Sequence, residues 1–276
     1  MASFFCMLTF VLSICINHVS IMYQEKDIFG RTELLVGAEA MDKIRKSRVI
    51  LFGVGGVGSW CAESLIRSGV GYLTLVDSDC ITITNINRQL PATTGTVGQP
   101  KVDVLKTRLQ TINPHATITA IQAAYTAKTS QLFQLDSYDY IIDAIDSVEH
   151  KARLILHATS TNASFFSSMG AALKLDASRI KTAEFWKVHG CPLAAALRQK
   201  FKKNTLPAKK FLCVFSDEVL ENKSASSSAL SHNESTWDER KARINGAMVH
   251  ITAIFGFTLA GMLIQDIVSG TQTIRI

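Results

Sequence analysis

The sequence lacks paired cysteines and contains little proline. Its six cysteines are scattered over 276 residues, and no two of them form a C-x-x-C pair. This excludes a small disulfide-rich scaffold and argues against a zinc site built from two C-x-x-C turns. With 16 glycines and 5 prolines the chain is also unlike collagen or proline-rich repeats. We therefore expect reduced thiols at Cys6, Cys15, Cys61, Cys80, Cys191 and Cys213.

Charged residues are sparse, whereas apolar residues are abundant. They make up 19% and 47% of the chain, a balance that excludes wholesale disorder. A chain of this length buries roughly three quarters of its unfolded surface, so it can form one large core. The net charge of +6 is too small to identify a polyanionic partner by itself.

The first 24 residues contain no Asp, Glu, Lys or Arg. Residues 4–16 are apolar except for Thr9 and Ser13, but they lack the basic start and the cleavage motif of a secretory signal. About 20 apolar residues span a bilayer, and the polar Asn17 weakens the second half of this segment. Two interpretations of residues 1–22 remain, a membrane anchor or a spurious start before Met22. We expect one domain over residues 23–276 in the cytoplasm, with membrane association if the leader is retained.

A strand, a glycine-rich turn, a helix and a second strand are predicted between residues 48 and 77. The apolar residues 48–52 lead into G-V-G-G-V-G, and a strand at 72–76 ends at Asp77. The glycines allow a tight turn and close approach of the backbone to phosphates, which would face free N–H groups at the helix start. Asp77 is placed to accept hydrogen bonds from a ribose. The pattern predicts an adenine-nucleotide site and leaves NAD and ATP open.

The alternation of strands and helices continues along the chain. Further strands are predicted at residues 117–121, 140–145, 165–169, 180–185 and 211–215, and helices at 101–112, 148–161 and 193–203. The polar, Ser-rich segment near 221–243 predicts a crossover loop, and the uncharged segment 244–264 favours a core helix over a membrane span. We predict an α/β, Rossmann-like, doubly wound, mostly parallel sheet with a smaller C-terminal α/β extension.

Three downstream motifs distinguish ATP from NAD. They are Asn85-Ile86-Asn87-Arg88-Gln89, Gly98-Gln99-Pro100-Lys101 and Asp143-Ala144-Ile145-Asp146-Ser147. In this order after a glycine turn they resemble the ubiquitin-activating-type adenylating fold, the ThiF/MoeB/HesA superfamily. A triphosphate requires cations and a carboxylate for Mg²⁺, whereas a nicotinamide dinucleotide requires neither.

The resemblance implies a role for each matching residue. Asp77 would hold the ribose, Asn85 and Arg88 would contact phosphates, Lys101 would neutralise them, and Asp146 would position Mg²⁺. The remaining ATP-binding residues implied are Gly53, Gly55, Gly56, Gly58 and Gln89.

Phe29-Gly30-Arg31 falls where the superfamily has an arginine that reaches the ATP of the partner subunit. The resemblance therefore implies a homodimer in which Arg31 acts in trans, and an ordinary surface arginine is the alternative. With it, the predicted catalytic residues are Arg31, Arg88, Lys101 and Asp146.

Branches of the superfamily differ in the carboxylate that they activate. Activators of sulfur-carrier proteins usually hold zinc through two C-x-x-C pairs, which are absent here, and ubiquitin activators add a catalytic-cysteine domain, for which we expect no room. The tRNA threonylcarbamoyladenosine dehydratases resemble this chain from Phe29 to about Ile267, although Ala172 replaces a usual glycine. Their further motifs here are Met169-Gly170-Ala171, Cys191-Pro192-Leu193-Ala194 and Cys213-Val214-Phe215-Ser216.

This resemblance implies ATP-dependent cyclisation of N6-threonylcarbamoyladenosine in tRNA, with release of AMP and pyrophosphate. The alternative is adenylation of the Gly-Gly end of a sulfur-carrier or ubiquitin-like protein, with a sulfur-transfer partner. Cys191 and Cys213 lie in apolar sequence surroundings that favour structural thiols, and a nucleophile or sulfur acceptor is the alternative for both.

Six basic residues lie within thirteen positions with no acid between them. Such a patch suits salt-sensitive binding of tRNA phosphates, and a solvated helix face is the alternative. The predicted tRNA-binding residues are Arg198, Lys200, Lys202, Lys203, Lys209 and Lys210.

Overall fold

The computed structural model describes residues 24–223 and 245–270. Within these ranges the strands are β1 (Arg48–Phe52), β2 (Tyr72–Val76), β3 (Thr117–Ile121), β4 (Tyr140–Asp143), β5 (Ser164–Ser168), β6 (Ile180–Glu184) and β7 (Leu212–Ser216). The α-helices are α1 (Glu25–Val36), α2 (Ala38–Lys46), α3 (Gly58–Arg67), α4 (Lys101–Ile112), α5 (Val148–Ser160), α6 (Pro192–Lys203) and α7 (Val249–Ser269). The predicted leader and most of the predicted crossover loop lie outside the described residues.

The strands form one sheet in the order β3-β2-β1-β4-β5-β7-β6. All neighbours are parallel except β6, which is antiparallel to β7. The predicted fold class is confirmed, and the C-terminal extension continues the same sheet as β6 and β7. The strand order reverses between β1 and β4, which is where doubly wound proteins bind ligands beyond the carboxyl ends of their strands.

Alternating residues of each strand enter two hydrophobic clusters on opposite faces of the sheet. In β1, Val49 and Leu51 pack with α3, α4 and α7, whereas Ile50 and Phe52 pack with α5 and α6. The period of two in a pleated strand produces this division. Because both faces are covered by helices, β1 and β4 are apolar except for Arg48 at the start of β1 and Asp143 at the end of β4.

Most predicted boundaries agree with the structure within one residue, and β1, β2 and β3 agree at both ends. The strand predicted at 140–145 is too long, since β4 ends at Asp143. There the Asp143 carboxylate accepts a hydrogen bond from the backbone N–H of Ile145 at 3.0 Å, which turns the chain away from the sheet.

Helix α7 occupies the core, in agreement with the preferred interpretation of this apolar segment. It is long and apolar enough to cross a membrane, but most of it is buried inside this protein. A Cβ at Gly256 would lie 2.5 Å from the carbonyl oxygen of Val57, so glycine permits the close approach of α7 to the start of α3. The helix continues to Ser269, five residues beyond the predicted end. Its buried Asp266 accepts a hydrogen bond at Oδ2 from the Tyr140 hydroxyl at 2.9 Å.

Candidate nucleotide-binding site

The glycines of the turn between β1 and α3 have different structural roles. Gly53 has a φ of 85°, and a Cβ there would lie 2.7 Å from the carbonyl oxygen of Ala144. A Cβ at Gly58 would lie 1.8 Å from the carbonyl oxygen of Gly53. At Gly55 the nearest atom to a Cβ would be Nε2 of Gln89, 3.7 Å away. Gly53 and Gly58 therefore make the turn possible, while Gly55 leaves space above it for a ligand.

Asp77 follows β2 and contacts the same turn. One carboxylate oxygen accepts a hydrogen bond from the Val54 N–H at 2.8 Å, and the other accepts one from the Asp79 N–H at 2.9 Å. Burial raises the pKa of Asp77, and the nearby Lys101 ammonium opposes this effect. The carboxylate is thus fixed beside the glycine turn, where the family would have it hold a ribose.

The segment of residues 85–89 forms a compact turn beside the glycines. Asn85 is buried, and its side-chain oxygen accepts a hydrogen bond from the Thr82 N–H at 3.1 Å. The Arg88 guanidinium donates to the Asn87 side chain at 2.8 Å and to the Thr84 carbonyl oxygen at 3.0 Å. Asn85 therefore shapes the turn that presents Arg88.

Gln89 offers an unsatisfied polar atom to this site. Its side chain is 7% exposed, and Oε1 has no hydrogen-bond partner among the described residues. A buried carbonyl oxygen without a donor costs free energy. Because this amide also lies next to the open space at Gly55, a bound donor group fits here.

Lys101 is the first residue of α4 and is 5% exposed. Its ammonium group donates to Asp79 Oδ2 at 2.8 Å. Sequence analysis missed Asp79, although a second carboxylate two residues after Asp77 was a usable signal. The pair holds Lys101 near Asp77, at the edge where phosphates would lie.

A buried ion pair supports the loop that bears Asp146. Asp143 and Lys151 are both fully buried, and Lys151 Nζ lies 2.7 Å from Asp143 Oδ2. Lys151 also donates to the Ile145 carbonyl oxygen at 3.0 Å, and the Ser167 hydroxyl donates to Asp143 at 2.7 Å. Since Asp143 accepts from the Ile145 N–H as well, the pair holds both polar backbone groups of Ile145, next to Asp146.

Asp146 itself is exposed at the surface of this loop. Within residues 24–223 and 245–270, no group of three or more His, Cys, Asp or Glu side chains is placed to hold a metal ion. Magnesium commonly binds through one or two carboxylates together with substrate phosphates and water. One exposed carboxylate beside a triphosphate site fits that pattern.

Arg31 lies apart from these groups. It is exposed on α1, and no contact found among the described residues joins it to the glycine turn. Leu34 and Leu35, on the same helix, are 88% and 86% exposed. The structure therefore does not bring Arg31 to the site within one chain.

The six basic residues after position 197 divide into two sets. Arg198 and Lys209 donate to backbone carbonyl oxygens at 2.7 and 2.8 Å, and Lys200 forms an ion pair with Glu149 at 2.6 Å. These three side chains hold local structure. The three that face solvent are Lys202, Lys203 and Lys210.

The sheet and the site together define a nucleotide-binding protein of the doubly wound α/β class. Comparison with known families makes this specific, because the sequence profile of the ThiF family matches residues 29–273, and the chain belongs to this family. The predicted family and enzyme class are thereby confirmed.

The chain is similar to the tRNA threonylcarbamoyladenosine dehydratase of Bacillus subtilis (strain 168), with 44% identity over 190 residues, 69% of this chain and 74% of that protein. It is also similar to the crystal structure of E. coli tRNA N6-threonylcarbamoyladenosine dehydratase in complex with AMP, with a TM-score of 0.78. The complex of that enzyme with ATP has a TM-score of 0.77. In both structures the identity is 30%, and the match covers 89% of this chain and 95% of the other.

Proposed function

We propose that this protein dehydrates N6-threonylcarbamoyladenosine in tRNA by adenylating its carboxylate with ATP. One observation supports this most directly. The glycine turn, Asp77, the Arg88-Gln89 turn, Lys101 and the 143–147 loop lie together where the strand order reverses. The similar proteins from B. subtilis and E. coli are dehydratases by name.

The chemistry has two balanced steps. In the first, a carboxylate oxygen of the threonyl group attacks the α-phosphorus, the bond to the β-phosphate breaks, and pyrophosphate leaves with its charge. In the second, a nitrogen or oxygen of the same side chain attacks the activated carbonyl carbon and loses its proton, and the bond to AMP breaks. The carboxylate oxygen leaves on AMP, so the net change is the loss of water.

The residues of the site serve the first step by position and charge. Lys101 and Arg88 stabilise the negative charge that develops on the phosphates, and Asp77 holds the ribose. Mg²⁺ held at Asp146 would supply further neutralisation of the leaving pyrophosphate. Lys151 keeps the Asp146 loop in place, since it binds the preceding carbonyl group.

Binding of tRNA is assigned to the solvent-facing lysines. Lys202, Lys203 and Lys210 are exposed and free to meet phosphates, whereas the other three basic residues of the patch are engaged locally. A cytoplasmic location agrees with such a substrate. Membrane attachment and a sulfur-transfer partner stay predictions.

The test is a pyrophosphate-release assay with ATP and one acceptor at a time. The acceptors are tRNA bearing threonylcarbamoyladenosine, the same tRNA without the modification, and a carrier protein that ends in Gly-Gly. We expect release only with the modified tRNA. Release with the carrier protein alone would favour the adenylyltransferase alternative, and NAD binding without any release would favour a dehydrogenase.

We also propose a homodimer in which Arg31 acts across the interface. The exposed Leu34 and Leu35 beside Arg31 support an apolar contact between subunits. Mixing inactive Arg31→Ala and Asp146→Asn chains tests this, because a mixed dimer would contain one complete site. Random exchange should restore about a quarter of the wild-type rate. No restoration in a mixture whose exchange is verified would place Arg31 in the site of its own chain or outside the mechanism.

A further inference from the structure

Among the described residues, three lysines are almost completely buried, and one of these three has no carboxylate partner. Lys101, Lys151 and Lys174 are 5%, 0% and 4% exposed. The first two contact carboxylates at 2.8 and 2.7 Å. Lys174 donates to the backbone carbonyl oxygen of Glu218, and among the residues that the structure describes it forms no ion pair. Lys174 is thus a buried cation without a counterion in contact.

The nearest acids do not supply that counterion. The Glu218 carboxylate accepts hydrogen bonds from the N–H groups of Leu175 and Asp176 at 2.7 and 3.0 Å. Burial lowers the pKa of Lys174, and the negative charges of Glu218 and Asp217 oppose this only in part. An ammonium group has three donors, and burying it incompletely paired is unfavourable. An anion bound beside it would satisfy the remaining donors.

Lys174 lies at the functional edge of the sheet. It belongs to the loop after β5, and Glu218 follows β7 at the same edge. Cys191, at the start of α6, faces this loop, since a Cβ at Gly170 would lie 3.8 Å from its sulfur atom. The order β1-β4-β5-β7 therefore places Lys174 beside the nucleotide site, on the side away from Asp77.

Residues 245–248 connect the Lys174 loop with the nucleotide site. The Leu173 N–H donates to the Gly246 carbonyl oxygen at 2.9 Å, and the next carbonyl oxygen, of Ala247, accepts from the Asn87 side chain at 3.1 Å. Residues 245–248 thus contact both the Lys174 loop and the turn that presents Arg88. Leu173 also has a φ of 58°, a left-handed conformation that is strained for leucine. Such strain often occurs at functional sites.

We propose that the Lys174 ammonium binds the carboxylate that the enzyme adenylates, and that it is the anion-recognition group of the acceptor subsite. This inference rests on the proposed function. In the proposed function, the phosphates of ATP are bound by Arg88 and Lys101 at the glycine turn. Among the described residues, Lys174 is the one buried cation without a carboxylate partner, so it is left for the acceptor carboxylate. Lys174 therefore selects the tRNA that bears the threonylcarbamoyl group.

The experiment compares the full chain with its Lys174→Met and Lys174→Gln variants. With modified tRNA, both variants should raise the KM for tRNA by roughly 10- to 100-fold, the usual range for losing a hydrogen bond to a charged group. The KM for ATP should stay unchanged. In a binding assay without ATP, wild type should prefer modified over unmodified tRNA, and both variants should lose this preference. Lys187→Met, which changes an exposed lysine, is the matched control.

The outcomes separate the two proposals. A wild type that releases no pyrophosphate with modified tRNA overturns the proposed function and this inference together. An active wild type whose variants keep its KM and its preference overturns the inference alone. An equal rise in the KM for ATP also overturns it, because the anion would then be a phosphate. Lys174→Gln keeps polar hydrogen-bond donors at this position. If the Lys174→Met variant fails to fold, the Lys174→Gln variant still tests the inference.

Discussion

Lys151 and Lys174 are both buried at the carboxyl edge of the sheet, but their surroundings are opposite. Lys151 contacts the Asp143 carboxylate and the Ile145 carbonyl group, whereas Lys174 contacts one backbone carbonyl group. Removing one partner of a buried ion pair exposes the other as an uncompensated charge, but removing an unpartnered cation does not. The fold therefore supplies the counterion of Lys151, whereas in the inference above the substrate supplies that of Lys174.

The largest effect is expected at Asp146, which the Lys151 pair positions. Asp146→Asn should lower the rate of AMP formation about 100- to 1000-fold, because charge on the leaving pyrophosphate loses its stabilisation. The melting temperature should not change, since this side chain is exposed. AMP formation is measured by chromatography, with Asp136→Asn, an exposed carboxylate in the turn before β4, as the control. Unchanged turnover would remove Asp146 from the mechanism.

The second prediction compares the effects of Lys151 and Lys174 substitutions on the free energy of unfolding. Lys151→Met should lower the free energy of unfolding by about 3–5 kcal/mol, because Asp143 would be left buried without its counterion. Lys174→Met should not lower it, because this change removes a buried charge that has no counterion in contact. Urea denaturation measures both. In the double variant Lys151→Met/Asp143→Leu most of the loss should be recovered, and an equal loss for Lys151→Met and Lys174→Met would contradict the comparison.

Sequence patterns predict the strands and helices of this molecule better than its buried polar contacts. Apolar strands beside glycine turns define β1 and β2 to the residue, since both faces of each strand must be buried. The end of α7 was missed because Asp266 resembles a surface residue in sequence. In the fold it is buried, and Tyr140, more than a hundred positions away, donates a hydrogen bond to it.

The same limit applies to the candidate site. The residues proposed to bind the nucleotide are predictable, because their types and spacing follow from the chemistry of a triphosphate. The residues that support them are not predictable from sequence. Lys151 in a helix and Lys174 in a loop look like ordinary surface lysines, and only the fold shows that both are buried. The group that a buried lysine contacts depends on distant elements, as when Lys174 donates to the backbone carbonyl oxygen of Glu218 rather than to a carboxylate.

A third prediction separates the two sets of basic residues. Changing Lys202, Lys203 and Lys210 together to Gln should raise the KM for tRNA about tenfold and reduce the salt dependence of binding by about three phosphate contacts. The change should not alter stability. The companion variant with Arg198, Lys200 and Lys209 changed to Gln should mainly lose stability. Filter binding across a range of salt concentrations measures the first effect, and an unchanged slope would make the patch a solvated face.

The smallest expected effect is a pH dependence that distinguishes Lys174 from a paired lysine. Burial lowers its pKa in the folded protein below the value of about 10.4 for an unfolded chain. Below both values the lysine is charged in both states, and the folded state has the full cost of burying that charge. As the pH rises through the folded pKa towards the unfolded pKa this cost disappears.

Lys174→Met should therefore be more stable than wild type near neutral pH, and its advantage should shrink as the pH approaches 10. Urea denaturation at several pH values measures this, with Lys187→Met as the control, whose difference from wild type should stay constant. Cys191 lies close to Lys174, so the series is repeated in a Cys191→Ala background. An advantage that grows with pH would mean that the folded protein favours the charged form of Lys174. Its own contacts would then satisfy the ammonium group without a substrate, and the distinction from Lys151 would fail.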